Sequence, residues 1–312
     1  MSGSFRGHRA IGTIRGDWRR GGLRLSAVFG AVLVALGMTL GGAAAVAVAS
    51  LPARALEAAV VYDLGLKFDK GFNESAYQGV VSVRRALGVT VHEYELMRES
   101  DRATALEGAA ARADLVIGIG FGLTEALSQA AAAHPERRFT IVDDELTAPN
   151  VQSIRFRDNE GSFLVGILAG LASQTGTVGF VGGMDNAGIH RFRVGFEHGV
   201  HYVRPEIKVL SAMIGPTAEA FVDPMAGYLL ARAQVAAGAD VVFAAAGSSG
   251  FGVYEAAREA ARLAIGVDAN QNYLFPGTLL TSMVKRVDVA VEYTVRQALA
   301  GAWLPGVVVL GV

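Results

Sequence analysis

The sequence predicts an α/β protein of two doubly wound, mostly parallel-sheet lobes, joined by a hinge that the chain crosses more than once. Three observations carry that expectation. Strand-like apolar runs alternate with helical stretches from residue 57 to the end of the chain, a rhythm that places parallel strands between layers of helices. Several of those runs end in an acid or a glycine, at the sheet edge where proteins of this class hold ligands. Two short extended segments, Val151 to Phe156 and Thr278 to Met283, read as crossovers between lobes. A length of 312 residues with 52% hydrophobic content suits two domains or one large one.

The chain opens with a basic stretch containing Arg15, Arg19, Arg20 and Arg24, followed by an uncharged run from Leu25 to Ala49. This reads as a secretory leader covering residues 1–55. Two small-x-small sites follow, Ala47-Val48-Ala49 and Ala53-Arg54-Ala55. Cleavage at the second would start the mature protein just before its first strand. The other reading is an uncleaved anchor, since the apolar run is long enough to span a bilayer. Arg19-Arg20 invites twin-arginine export, but Gly21-Gly22 makes the match poor, so general secretion is the expectation.

After the leader, strand-like runs end at Asp63, Tyr94, Gly118, Asp143, Phe156, Val181, Met213, Ala244, Asp268 and Ser282, with a last one at Val307 to Leu310. Helical patterns include Gly161 to Ser173, Arg191 to Val203, Pro224 to Ala237, Val253 to Arg262 and Val284 to Ala300. The expected division is residues 56–155 plus 284–303 in the first lobe and 156–283 plus 304–312 in the second.

Charge and composition exclude some functions. The first 55 residues hold seven Arg against one Asp, so the remaining chain has 21 basic and 28 acidic groups. An excess of acids is the wrong sign for a nucleic-acid binder, whose affinity comes from neutralising phosphates. The absence of cysteine removes disulfides, thiolate metal sites, cysteine nucleophiles and thioether-linked lipids.

The candidate ligand-reading groups are strand-end acids, nearby aromatics and one lysine. Asp63, Asp143 and Asp268 each follow a strand-like run, and a carboxylate accepts two hydrogen bonds from paired hydroxyls or the edge of a base. Any one acid is as readily a helix cap or turn residue. Three at equivalent strand ends favour a ligand. Phe72, directly before Asn73, Phe121 and Phe221 are aromatics near those loops, suited to packing on a purine or sugar face. Phe121 and Phe221 taken singly also fit core or hinge packing. Lys285 sits in an apolar context at the second crossover, which suggests a cleft-facing role.

Two glycine-rich loops and a histidine cluster need separate treatment. Gly118-Ile119-Gly120-Phe121-Gly122 imitates a dinucleotide fingerprint, but the third glycine position falls on Leu123 and the loop is not in the first βα unit. An NAD-dependent oxidoreductase using this loop remains a rival reading. Gly247-Ser248-Ser249-Gly250-Phe251-Gly252 lacks the Lys-Ser/Thr ending of a phosphate loop and fits close backbone approach to a ligand. His190, His198 and His201 come without acids at metal-ligand spacing, so no metal is expected. No nucleophile, base and orienting group form a legible set, so neither an enzyme nor a cofactor is expected.

From Tyr62-Asp63 through Asp69-Lys70-Gly71-Phe72-Asn73-Glu74-Ser75-Ala76-Tyr77-Gln78-Gly79, the chain resembles the opening of the basic membrane protein family, purine-nucleoside-receptor-like substrate-binding proteins of ABC importers. Matches continue at Glu160 to Gly166, Gly179 to Asp185, Arg191-Phe192, Gly195-Phe196, Asp223-Pro224 and Gly238 to Phe243. Gly266-Val267-Asp268-Ala269-Asn270-Gln271 and Thr281 to Asp288 are the most specific. The resemblance implies a type I periplasmic-binding-protein fold, a purine-nucleoside-like ligand in the interlobe cleft, and ABC permease subunits as partners. It also implies that Asp63 and Asn73 read the base, Asp143 lies on the hinge side, and Phe72 and Phe221 stack. Gly247, Asp268 and Lys285 would hold the ribose. Three departures stand out. The family's lipid-bearing cysteine is missing, so a free periplasmic protein or an uncleaved anchor is expected. The loop from Leu64 to Lys70 differs from the usual glycine-rich form, and relatives continue past Val312 with a further strand and tail. A ligand sensor without a transport role would use the same fold.

Overall fold

A computed structural model describes residues 55–312 of the protein; the leader and its candidate cleavage sites lie outside them. The first sheet is built from β1 (Glu57–Tyr62), β2 (Thr90–Glu95), β3 (Leu115–Ile119), β4 (Arg138–Val142), β5 (Val151–Phe156) and β11 (Gly306–Leu310), in the order β11-β5-β4-β3-β1-β2. The second contains β6 (Thr177–Met184), β7 (Lys208–Gly215), β8 (Val241–Ala245), β9 (Leu263–Asp268) and β10 (Leu279–Val284), in the order β10-β9-β8-β6-β7. Every pairing is parallel. Apart from β11, the two sheets share one strand order, so the two lobes repeat one topology.

Because helices cover both faces, strands are apolar throughout rather than alternating with polar residues. In β1, Ala58, Val60 and Tyr62 pack into the cluster beneath α1 (Phe72–Leu87) and α8 (Val287–Leu299), while Ala59 and Val61 point into the cluster beneath α2 (Arg102–Arg112) and α3 (Thr124–Ala133). The second sheet repeats this plan. Val241, Phe243 and Ala245 face one way, toward α4 (Asp158–Ala172) and α5 (Ala187–Val203), and Val242 and Ala244 the other, toward α6 (Pro224–Ala236) and α7 (Gly250–Glu259). Backbone approach between α4 and α5 is close enough that a Cβ on Gly199 would lie 2.0 Å from the Phe163 carbonyl oxygen and one on Gly166 would lie 2.3 Å from that of Phe196. Only glycine fits there.

The chain leaves the first sheet at β5 to enter α4 and returns from β10 into α8, which packs on α1. The two extended segments expected to be crossovers are instead edge-side strands, β5 of the first sheet and β10 of the second, and the chain passes between lobes directly after each. A further expectation is corrected: residues 304–312 do not join the second lobe, because β11 pairs in register with β5, Gly306 opposite Gln152 through Leu310 opposite Phe156. The apolar run 307–310 alone does not say which sheet edge it extends; β5 offers a free edge beside the returning helix. Among the described residues, no helix is long and apolar enough to cross a membrane.

Candidate functional site

The strand ends of the two sheets face one another across a cavity of about 330 Å³, and all nine sequence-derived candidates line it. That volume is at the small end of ligand sites. The candidates differ sharply in how much of each side chain is already engaged.

Asp63 follows β1, and its carboxylate is held from behind: Arg102 donates from Nε to Oδ1 at 3.0 Å and from an Nη to Oδ2 at 3.3 Å. Burial pushes this carboxyl above its ordinary range, and the Arg102 guanidinium works against the shift. The pair presses on the loop after β3, where a Cβ on Gly122 would sit 2.1 Å from Asp63 Oδ2 and 2.6 Å from an Arg102 nitrogen. This explains the imitation of a dinucleotide fingerprint. The loop is glycine-rich to admit an ion pair.

Asn73, in the first turn of α1, is committed to the loop before it. Its Nδ2 donates to the carbonyls of Asp63 at 3.1 Å, Leu64 at 3.4 Å and Leu66 at 3.1 Å. Asp69 caps the same helix, accepting from the backbone N–H of Gly71, Asn73 and Glu74 at 2.8 to 3.0 Å. These bonds fix a loop in which Gly65, Leu66 and Lys70 all have positive φ. The Asn73 amide N–H groups are thus taken up by the loop, while its Oδ1 is not used in these bonds.

Asp143 follows β4 and Asp268 ends β9, the equivalent strand of the other sheet; both are left-handed, with φ of 74° and 66°. Such a conformation is uncommon outside glycine, and Asp is among the side chains that tolerate it. Lys285, just past β10, joins them. Its Nζ lies 2.6 Å from Asp143 Oδ1 and 3.0 Å from Asp158 Oδ1, and Arg191 donates to Asp158 Oδ2 at 3.1 and 3.2 Å. The rings of Phe72, Phe156 and Phe192 surround the ammonium at 5.0 to 5.5 Å. Burial works against the Lys285 charge, but Asp143, Asp158 and Asp268 outweigh it and hold the ammonium protonated above its usual range.

Asp268 is the exception to this engagement. It is 8% exposed, and among the described residues none donates a hydrogen bond to its carboxylate. Burial pushes its pKa up to about 7; Lys285 pulls the other way, and Asp69, Asp143 and Asp158 add to the rise. An unsatisfied carboxylate beside a cavity gains most from a ligand bringing donors.

The aromatic residues close the site from both lobes. Phe121 and Phe221 meet edge to face at 6.0 Å between ring centres. Phe221 lies flat enough on β6 that a Cβ on Gly183 would be 2.4 Å from its ring, and it backs Gly247, whose φ is 54°. Phe221 therefore meets Phe121, whereas Phe72 lies against the Lys285 ammonium.

Arg102, Asp158 and Arg191 were not among the sequence-derived candidates. Arg191 lay in a stretch carrying the family resemblance and Asp158 just after the segment read as a crossover, but a lone helical arginine such as Arg102 gives no local signal. The histidines do not converge: His190 bonds Asp185 and His201 bonds the Ile207 carbonyl.

Comparison with known proteins agrees with this architecture. Residues 56–312 match the family model for ABC transporter substrate-binding proteins of the PnrA-like type, Bmp. The chain is 36% identical over 269 residues to the CD4+ T-cell-stimulating antigen of Listeria monocytogenes, covering 78% of this chain and 73% of that one. It is 38% identical over 229 residues to basic membrane protein D of Borreliella burgdorferi, covering 70% of this chain and 65% of the relative. A solute-binding protein of an ABC transporter from Aeropyrum pernix superposes with a TM-score of 0.75 at 30% identity, over 82% of this chain and 74% of that one. The glucose-galactose-binding protein of Geobacillus stearothermophilus shares the fold, with a TM-score of 0.62 at 17% identity over 82% of this chain and 95% of its own. Proteins of this family bind solute outside the cytoplasm for an ABC permease and are not enzymes. With its type I periplasmic-binding-protein fold of two parallel α/β sheets, the chain belongs to the basic membrane protein family of ABC-transporter substrate-binding proteins.

Proposed function

We propose that the protein captures a purine nucleoside or a close relative between its lobes in the periplasm and delivers it to the permease subunits of an ABC importer. Residues 1–55 serve as the secretory leader, and with no cysteine in the sequence there is no site for a thioether-linked lipid. The observation that carries the reading is the buried carboxylate of Asp268, which lacks a donor among the described residues and lies beside Lys285 in a cavity of about 330 Å³. Two adjacent hydroxyls of a ribose supply donors for that carboxylate, and the ammonium offers a donor in return.

The remaining cavity groups suit a base. Phe72, Phe121 and Phe221 provide faces for a planar ring. Asp63, oriented by Arg102, accepts from ring N–H or amino groups, with Asn73 Oδ1 as a further acceptor. Asp143 holds Lys285 in place from the other lobe, and Gly247 lets the backbone after β8 approach the ligand.

Calorimetric titration with inosine, guanosine, adenosine and free ribose tests this reading. Saturable heat is expected with at least one nucleoside, and Asp268→Asn is expected to weaken binding by about 10- to 100-fold, the loss of hydrogen bonds to a charged group. Absence of heat with every nucleoside on a folded sample would remove the proposal.

A further inference from the structure

Gln271 lines no part of the ligand cavity, yet it is 1% exposed and every polar group of its side chain is engaged. Its Oε1 accepts from the backbone N–H of Val267 at 3.0 Å and from the Tyr254 hydroxyl at 2.6 Å. Its Nε2 donates across the cleft to the Lys70 carbonyl at 3.0 Å. Two donors on one oxygen settle which end of the amide is which. The backbone is held as well, since Gln271 N–H donates to Ser282 Oγ at 3.0 Å. Away from the crossovers, the Gln271–Lys70 bond is the one hydrogen bond among the described residues that joins a loop of one lobe to a loop of the other.

Both sides of this contact are shaped in advance. A Cβ on Gly266 would lie 2.8 Å from Gln271 Oε1 and 2.7 Å from Ser282 Oγ, so the glycine in β9 leaves room for the amide. On the facing lobe, Lys70 has φ of 60°, unusual for a lysine, and its loop is held by Asn73 and Asp69 as described above. A residue kept in a sparsely populated conformation by its surroundings marks a functional constraint.

We propose that Gln271 is a positioning residue for ligand capture: it latches the closed cleft through Lys70 and sets the closed population without touching the ligand. In the open form the Lys70 carbonyl and the Gln271 amide return to water. In the closed form they satisfy each other. The latch thereby biases the equilibrium between the two forms, and apparent ligand affinity scales with the fraction of closed protein. It holds whatever the ligand's chemistry.

The test uses the full chain and the absence of native cysteine, which allows spin labels on Ala86→Cys and Ala260→Cys, both exposed and in opposite lobes. Gln271→Glu keeps the acceptor for Tyr254 and Val267 and removes the donor to Lys70. Without ligand, the ratio of short to long interlobe distances in pulsed electron resonance is expected to fall about ten-fold. Inosine titration is expected to show affinity weakened by a similar factor through faster dissociation, with association within about two-fold. Tyr254→Phe, which frees the amide to swing, is expected to give the same change more weakly and serves if Gln271→Glu fails to fold. An unchanged distance distribution in the folded variants overturns the latch. The distance measurement needs no ligand, so failure of inosine to bind counts against the nucleoside reading alone.

Discussion

At the scale of single residues, the site sorts into groups already satisfied by the protein and one that is not. Asp268 has a pKa of about 7 against an ordinary 3.8, so between those values the folded state holds a proton that the unfolded chain has released. The sign follows: the stability linked to this group is complete below about pH 4 and is lost as pH rises through 7. Hydroxyl donors on a ligand favour the ionised carboxylate, so binding near pH 6 is expected to release a fraction of a proton. Titration in buffers of different ionisation enthalpy measures that release, and Asp268→Asn is expected to abolish it. Asp63 is raised by burial as well, but unlike Asp268 it has a guanidinium partner. Arg102→Ala leaves a part-buried carboxylate unpaired and is expected to destabilise the protein by about 2 kcal/mol in a denaturant melt, with Arg102→Lys restoring part of it. The sequence shows that Asp63 and Asn73 lie near a strand end. It does not show that a guanidinium 39 residues on already grips the first, or that three carbonyls hold the second. Whether a polar side chain is free depends on what folds behind it, and that partner carries no local mark in the chain.

At the scale of elements, most of the architecture is legible because a strand buried on both faces must be apolar along its whole length. The runs ending at Asp63, Asp143 and Asp268 are of this kind, and each falls within one residue of its strand's end. β11 shows the limit. Its own residues mark it as a strand, while its neighbour is decided by the free edge of β5 and the returning path of α8. The α4–α5 pair adds a different lesson, since its glycines resemble ordinary helix defects in the sequence. They are points of backbone contact. Gly199→Ala would force a methyl against the Phe163 carbonyl and is expected to cost about 3 kcal/mol, read as a lower midpoint in thermal or denaturant unfolding.

At the scale of the whole molecule, two lobes meet through one buried cation. Lys285→Met would leave Asp143, Asp158 and Asp268 without their common counter-charge. The expected result is a loss of stability of about 3 kcal/mol or more at pH 8, partly recovered near pH 5 as Asp143 and Asp268, whose carboxyls burial pushes up, take up protons, measurable as a pH-dependent melting temperature. The two sheets repeat one strand order, and Asp143 and Asp268 occupy matching places with matching left-handed backbones. Two copies of a single half-molecule, fused head to tail, would build such a frame and would bring a carboxylate to the dyad from each side. One ammonium standing between them answers both. The position after β5 that matches Lys285 holds Arg157, which turns outward to Glu160. Matching places in the two halves therefore carry unequal charge into the cleft, and such a chamber can tell one end of a ligand from the other.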